Sequence, residues 1–245
     1  MGFSQQALIQ LYRSRAKHYD VTANLYYLIG FREYDYRKMA VNALNLEPGQ
    51  TVVEVGCGTG LNFSLLQHEV GSTGKIIGID LTDAMLEQAH QRVRKEGWLN
   101  VELVEIDAVA YRFPQKVNGI LSTFAMTLIP GYDRTIKQGA EALASGGRFA
   151  ILDLKRPDNV PNWLFRLGVF ITKPFGVSAE IAERRPWEAI ENVLTIRLSQ
   201  SFLAGLLILP LGRLNETLHQ MKEKRSDKLK NIAIKIQSSK IKMEW

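Results

Sequence analysis

The sequence predicts an α/β fold: a parallel, doubly wound sheet, preceded by helices and followed by a basic stretch. Three observations predict it. A β-branched apolar run at 51–55 turns abruptly into Gly56, Gly58 and Gly60, then into an amphipathic run at 61–69. A second apolar run at 75–79 ends in Asp80, about twenty residues beyond the glycines. Strand patterns then alternate with helical ones as far as residue 154, the arrangement that builds a parallel sheet covered on both faces.

Ahead of the first strand, 1–46 reads as helices with a break near Gly30. Ala7, Leu8, Leu11, Tyr12 and Ala16 recur at helical spacing. Glu47-Pro48-Gly49-Gln50 marks a turn. Residues 82–96 read as a helix with Thr82 as N-cap and Asp83 in its first turn. Leu86, Ala89 and Val93 form its apolar stripe, and Gly97 lies past its end. Strands three and four are expected at 101–106 and 117–123. A helix at 133–143, stopped by Ser145-Gly146-Gly147, leads into strand five at 148–154.

Past residue 154 the pattern changes. The run 161–175 is strongly apolar, with Trp163, Phe165 and Phe170, and is punctuated by Pro174 and Gly176. A short helix is expected to start at Pro186, since proline suits the first helical position. Strand-like runs at 194–202 and 206–211 flank Ala204-Gly205. The expected organisation is therefore an N-terminal helical segment, 1–46, a cofactor-binding domain, 47–212, and a basic extension, 213–245.

With 245 residues, nearly half of them hydrophobic, the chain can bury a full core, and wholesale disorder is excluded. Cys57 is the one cysteine, so no intramolecular disulfide and no cysteine-built zinc site can form, and no metal site is expected. Cys57 reads as a small loop filler rather than a nucleophile. A reducing cytoplasm is the expected setting. The first ten residues lack the pattern of a signal peptide, and Gln6 stands where N-myristoylation needs Ser or Thr. The apolar run 202–211 is broken at Pro210 and too short to span a bilayer. The net charge of +6 gathers at the end of the chain, where 213–245 holds nine Lys/Arg against four Asp/Glu. That argues against a broad nucleic-acid-binding face on the body of the protein.

The glycine segment carries the chemistry. Glycines let a backbone take positive φ and approach a ligand closely. A helix start beyond them offers N–H groups to an anionic group. An acid at the position of Asp80 suits the two hydroxyls of a ribose. A dinucleotide fingerprint spaces its glycines G-x-G-x-x-G, whereas Gly56, Gly58 and Gly60 are spaced G-x-G-x-G. Glu54, in the strand just ahead, would repel a phosphate and attract a cationic amino group. A ribose and positive charge without phosphate describe S-adenosyl-L-methionine, with S-adenosyl-L-homocysteine as its product.

The ordered trio E-V-G-C-G-T-G (54–60), I-G-I-D (77–80) and Ile106-Asp107-Ala108 resembles the class I S-adenosylmethionine-dependent methyltransferases over roughly 47–154. The resemblance implies a Rossmann-like seven-stranded sheet, completed by a terminal hairpin whose last strand is antiparallel. It implies that Gly56, Gly58 and Gly60 pass under the amino-acid part of the cofactor. It further implies that Asp80 holds the ribose hydroxyls and that Asp107 accepts from the adenine amino group. A departure is Val117-Asn118-Gly119, where many relatives have Phe-Asp; it is expected to alter packing rather than cofactor chemistry.

Methyl transfer from a sulfonium needs mainly proximity and alignment, so the sequence need not advertise a catalytic residue. His18, Tyr19 and Asp20 are the candidates. The segment around Tyr12, Ala16 and Tyr19-Asp20 resembles the N-terminal lid of the ubiquinone/menaquinone C-methyltransferases and phospholipid N-methyltransferases, which implies that Tyr19 faces the methionine end. Tyr26, Tyr27 and Phe31 lie in the same segment. Ordinary alternatives stand beside each: a packed tyrosine, a surface histidine, an aspartate capping a turn. Segments 124–130 and 163–175 imply an apolar acceptor pocket or a plain core. Arg184-Arg185 would hold an anionic head group or face solvent. Ser122 to Pro130 lacks the Asn-Pro-Pro-Tyr motif of base-methylating enzymes. The leading reading is methylation of a small, hydrophobic or lipid-like acceptor; the alternative is a nucleic-acid or protein methyltransferase docked through its basic tail. Leu218, Met221, Leu229, Ile232 and Ile236 form an apolar stripe in that tail, which fits peripheral membrane contact or a solvated extension.

Overall fold

The computed structural model describes residues 5–20, 32–155, 161, 179–202 and 207–213. The break near Gly30, the aromatics Tyr26, Tyr27 and Phe31, the apolar run from 162 and the basic tail beyond Arg213 lie outside the described residues.

The chain opens with α1 (Gln5–Arg15), one 3-10 turn (Ala16–His18) and α2 (Glu33–Leu44). Then strands and helices alternate: β1 (Thr51–Val55), α3 (Phe63–Val70), β2 (Lys75–Asp80), α4 (Asp83–Glu96), β3 (Val101–Glu105) and β4 (Val117–Thr123). A 3-10 turn (Met126–Leu128) leads to α5 (Tyr132–Ala142) and β5 (Leu143–Leu154). Further along the chain come α6 (Ala179–Ala182), α7 (Pro186–Glu191), β6 (Thr195–Phe202) and β7 (Leu207–Arg213). The strands form one sheet in the order β3-β2-β1-β4-β5-β7-β6. Neighbours from β3 to β5 are parallel, and β7 runs antiparallel to both β5 and β6.

The apolar runs of the strands follow from this layering. Val52 and Val53 are neighbours in sequence, yet each is fully buried on its own face of the sheet. Val52 packs with Leu44, Phe63 and Leu66, which come from α2 and α3. Val53 packs with Ile120, Ile136 and Ile151, under α5. A strand covered on both faces has no polar side to present, so its sequence reads as continuous β-branched residues. Each such side chain contributes about 1.5–3 kcal/mol by leaving water.

The order places β1 between β2 and β4. The chain leaves β1 toward β2 and β3, then returns to β4 on the other flank. Loops after β1 and β4 therefore diverge, and a crevice opens at their carboxyl ends.

Several boundaries differ from the sequence reading, each for a physical reason. Residues Gly60 to Asn62 extend the loop, so α3 starts at Phe63 rather than 61. Thr82 sits at the N-cap of α4 but makes no side-chain cap; instead its N–H donates to Oδ1 of Asp80 at 2.8 Å. Ser145-Gly146-Gly147 does not separate helix from strand. β5 begins directly at Leu143, and Gly146, at φ 74°, lies within it where the register against β4 shifts. Asn118, the departure from the expected Phe-Asp, accepts the Thr51 N–H at 3.0 Å and so ties β4 to the start of β1.

Candidate active site

A cleft of about 950 Å³, its open mouth included, lies at the carboxyl ends of β1, β2 and β4. Its floor is the glycine loop, and Asp80 and Asp107 stand on one side. Opposite, beyond β1, is a wall formed by Phe124, Ala125 and residues 128–130; Tyr12 and Tyr19 of the N-terminal segment also line the cleft.

The loop turns sharply because it can. Gly56 holds φ 68°, and a Cβ there would lie 2.4 Å from the Cβ of Ala125, so the loop touches the opposite wall only as glycine. Gly58 holds φ 55°, and a Cβ there would meet nothing within 4 Å. Its face opens on the cleft. Gly60 does not line the cleft; its α-carbon packs instead on the ring of Phe63. At the start of α3 the Phe63 N–H is already bonded to the Gly60 carbonyl.

Asp80 is the hub of this side. Oδ2 accepts the Gly58 N–H at 2.9 Å, and Oδ1 accepts the Thr82 N–H. Burial raises its pKa against those hydrogen bonds, which act to lower it. The carboxylate lines the cleft, where it is open to further donors. Asp107 follows β3 by two residues; its Oδ1 accepts the Val109 N–H at 3.0 Å, which fixes the carboxylate at the cleft edge.

Glu54 is placed differently from the glycines it precedes. It is 1% exposed and does not line the cleft. Oε1 accepts from Asn62 Nδ2 at 2.5 Å, while Oε2 is buried with no hydrogen-bond partner among the described residues. Burial pushes its pKa up to about 7, although Asn62 and Arg37 pull the other way. Asn62 also reaches Thr123 Oγ1 at 2.9 Å, and the same hydroxyl accepts from Arg37 Nη1.

Arg37 is the residue that sequence reasoning missed. It sits on α2, 6% exposed, yet it lines the cleft. Glu33, one turn earlier, takes its Nε and Nη2 at 2.8 and 2.6 Å. Its guanidinium lies 5.1 Å from the centre of the Phe124 ring, a cation–π distance. Phe124 holds φ 57°, a left-handed conformation that costs a bulky residue about 1–3 kcal/mol and that the surrounding packing must impose. The one available signal was the i,i+4 spacing of Glu33 and Arg37 on a helix with buried neighbours.

The three candidates in the N-terminal segment separate. Tyr19 lines the cleft, its ring centre 6.3 Å from that of Tyr12, and burial pushes its pKa up to about 12. Both phenols are therefore neutral near pH 7 and serve as hydrogen-bonding groups. His18 is exposed and lies away from the cleft. Asp20 accepts from Thr59 Oγ1 at 2.6 Å and pairs with Arg92, clasping the segment to the glycine loop and α4; whether it also caps a turn lies outside the described residues. Arg184 and Arg185 also part company. Arg184 Nη1 donates to the Thr127 carbonyl at 2.9 Å, and Arg185 pairs with Glu188 on the surface.

Residues 1–166 match the model of the ubiE/COQ5 methyltransferase family. The chain belongs to that family. It thereby joins the class I S-adenosylmethionine-dependent methyltransferases that the glycine loop, Asp80 and Asp107 resemble. Among curated proteins it is similar to a demethylmenaquinone methyltransferase of Listeria welshimeri, 27% identical over 52% of this chain and 54% of that one. It is similar also to a 2-phytyl-1,4-naphtoquinone methyltransferase of Thermosynechococcus vestitus, 31% identical over 59% and 67%. The chain thus spans about half the length of the Listeria relatives it matches. Among solved structures, a SAM-dependent methyltransferase from Aquifex aeolicus shares the fold at TM-score 0.55 and 21% identity, over 73% of this chain and 89% of that one. Geranyl diphosphate C-methyltransferase from Streptomyces coelicolor A3(2) shares it at TM-score 0.59 and 14% identity, over 74% and 79%. Among the described residues, no helix is long and apolar enough to cross a membrane.

Proposed function

We propose that the protein transfers a methyl group from S-adenosyl-L-methionine to a small, hydrophobic, lipid-like acceptor of the isoprenoid-quinone type, with S-adenosyl-L-homocysteine as the product. The observation that carries the reading is the cleft itself. It has a glycine floor with open space over Gly58, two acids on one side, and an aromatic and aliphatic wall facing them. The residues fit the cofactor. Asp80 would take the ribose hydroxyls and Asp107 the adenine amino group. The amino-acid part would lie over Gly56 and Gly58, with Gly60 supporting the turn through Phe63.

Arg37 lines the cleft and would take the carboxylate. Glu33 leaves one Nη2 hydrogen without a partner among the described residues. Glu54 does not line the cleft, so it would favour the ammonium only from behind the loop, through the field of its buried carboxyl. The bound cofactor supplies a methyl already activated on a sulfonium. The chain's own share is then alignment and exclusion of water. Tyr12 and Tyr19 cover the cleft, and Phe124, Leu128, Ile129 and Pro130 give the acceptor an apolar face. The three-part organisation, 1–46 as lid, 47–212 as catalytic domain and 213–245 as a basic extension that meets a membrane, belongs to the same proposal. The demethylmenaquinone and 2-phytyl-1,4-naphtoquinone methyltransferases it resembles support the acceptor class.

Two titrations and two assays test it. S-adenosylhomocysteine should bind more tightly than NAD by calorimetry. Reduced 2-prenyl-1,4-naphthoquinone should accept labelled methyl. NAD as the tighter ligand, or an inert naphthoquinol beside an RNA or protein that is labelled, overturns it. For the tail, salt-sensitive sedimentation with anionic vesicles should vanish in a form ending at Arg213.

A further inference from the structure

The wall facing the glycine loop hangs on a buried carboxylate that no cofactor role uses. Asp153 lies next to last in β5 and is 1% exposed. Its Oδ2 accepts the Thr127 N–H and its Oδ1 the Thr127 hydroxyl, each at 2.9 Å. Oδ1 also accepts the Leu154 N–H. Thr127 is itself buried, and its carbonyl accepts from Arg184 Nη1 at 2.9 Å. A single residue is thus held from both sides, its two donors by an anion on the sheet and its acceptor by a cation that follows α6.

Thr127 is the centre of the 3-10 turn Met126–Leu128. Neither Thr127 nor Asp153 lines the cleft, but Phe124 and Ala125 before the turn and Leu128, Ile129 and Pro130 after it all do. Ala125 is the residue against which Gly56 closes. A shift of this turn would therefore change the gap between loop and wall, where the acceptor must reach the donor methyl. A hydrogen-bonded carboxylate is costly to bury, and an apolar residue would hold a plain core turn as well. What the carboxylate adds is direction: a bidentate hold on one residue fixes both the position and the rotation of the turn.

We propose that Asp153, acting through Thr127 and braced by Arg184, is a positioning residue that sets the acceptor wall and governs acceptor engagement rather than cofactor binding. This rests on the methyl-transfer reading above. It also reassigns Arg184, which braces the wall from within the fold instead of receiving a head group.

The test compares the full-length parent with Asp153→Asn, Arg184→Gln and, as control, Arg185→Gln at the exposed Glu188 pair. Three readouts are taken: amide hydrogen exchange over 125–130, calorimetric affinity for S-adenosylhomocysteine, and KM and kcat with reduced 2-prenyl-1,4-naphthoquinone. In Asp153→Asn, exchange at Thr127 should quicken and KM should rise by about tenfold each, the scale of one lost charge-assisted hydrogen bond. Affinity for S-adenosylhomocysteine should stay within about twofold, kcat should change less than KM, and Arg184→Gln should show the same pattern more weakly. Arg185→Gln should match the parent. Unchanged exchange at 125–130, a parent-like KM, or a loss of cofactor affinity as large as the rise in KM overturns the proposal. If the Asn variant does not fold, Arg184→Gln decides by the same criteria. A parent that leaves the naphthoquinol unmethylated refutes that acceptor; the wall assignment then stands or falls on exchange together with unchanged cofactor affinity.

Discussion

The N–H of Gly58 donates to Oδ2 of Asp80 across 2.9 Å, so the tip of the glycine loop is held by the acid that ends β2. The two motif elements, twenty-two residues apart, are one hydrogen-bonded unit. Asp80 thus shapes the loop, beside the ribose role proposed for it.

Substituting Asp80 should have two separable effects. In Asp80→Ala, exchange of the Gly58 amide should accelerate. Affinity for S-adenosylhomocysteine should fall by about 1.5–3 kcal/mol, the range for hydrogen bonds to a charged group. Calorimetry and hydrogen exchange on the same sample check it. Faster exchange with unchanged affinity would leave Asp80 as a brace alone.

Glu54 gives a pH prediction whose sign is fixed by burial. Its folded pKa is raised from 4.5 to about 7, so between those values the folded state holds a proton that the unfolded state releases. Its contribution therefore favours folding at low pH and is lost as pH rises through 7. Asp153, raised to about 6, acts in the same direction at slightly lower pH. Glu54→Gln should consequently stabilise the cofactor-free protein at pH 8, by up to about 3 kcal/mol, and not at pH 5. The same variant should bind S-adenosylhomocysteine more weakly. Denaturant titrations at both pH values decide it; a Gln variant less stable at pH 8 would show that Glu54 is better satisfied than its open Oε2 implies.

The fold was legible because the central strands β1 and β4 are apolar on both faces and most turns are marked. Thr51 to Val55, Lys75 to Asp80 and Val117 to Thr123 stand where patterning put them. The boundary between α5 and β5 was not legible, because Gly146 reads as a stop signal while tertiary pairing uses it inside a strand. In the site, Asp80, Asp107, Gly56, Gly58 and Tyr19 meet around one cleft as local motifs suggested. Arg37 and Asp153 were harder to read. Arg37 reaches the cleft from a helix before β1 and its only local signal is the spacing to Glu33, while Asp153 contacts Thr127 rather than the cleft and has no local spacing to betray it.

The N-terminal segment is held by two ion pairs that reach α4, Arg13 with Asp83 and Asp20 with Arg92. Such partly exposed pairs are worth about 0–1 kcal/mol each and weaken with salt. Exchange of residues 5–20 should therefore quicken at high salt and in Arg92→Gln, and slow when S-adenosylhomocysteine fills the cleft. Exchange indifferent to the ligand would make the segment structural packing only.

Gly56 should tolerate nothing larger. Alanine there would carry strain at φ 68° and put its Cβ 2.4 Å from that of Ala125. Gly56→Ala should lose stability by about 1–3 kcal/mol and lose cofactor binding. Gly58→Ala faces open space and should retain more stability while still losing affinity. Thermal melts and calorimetry of the pair check it; equal behaviour of the two would contradict the separate roles of floor and face.

Methyl transfer to a lipid-like acceptor can be read in one experiment: the purified protein is incubated with methyl-labelled S-adenosylmethionine and a whole-cell extract, which is then separated into lipid, protein and nucleic-acid fractions. Label should enter the lipid fraction and be abolished in Asp80→Ala. Label confined to protein or nucleic acid, or no transfer at all by a protein that binds S-adenosylhomocysteine, would contradict it.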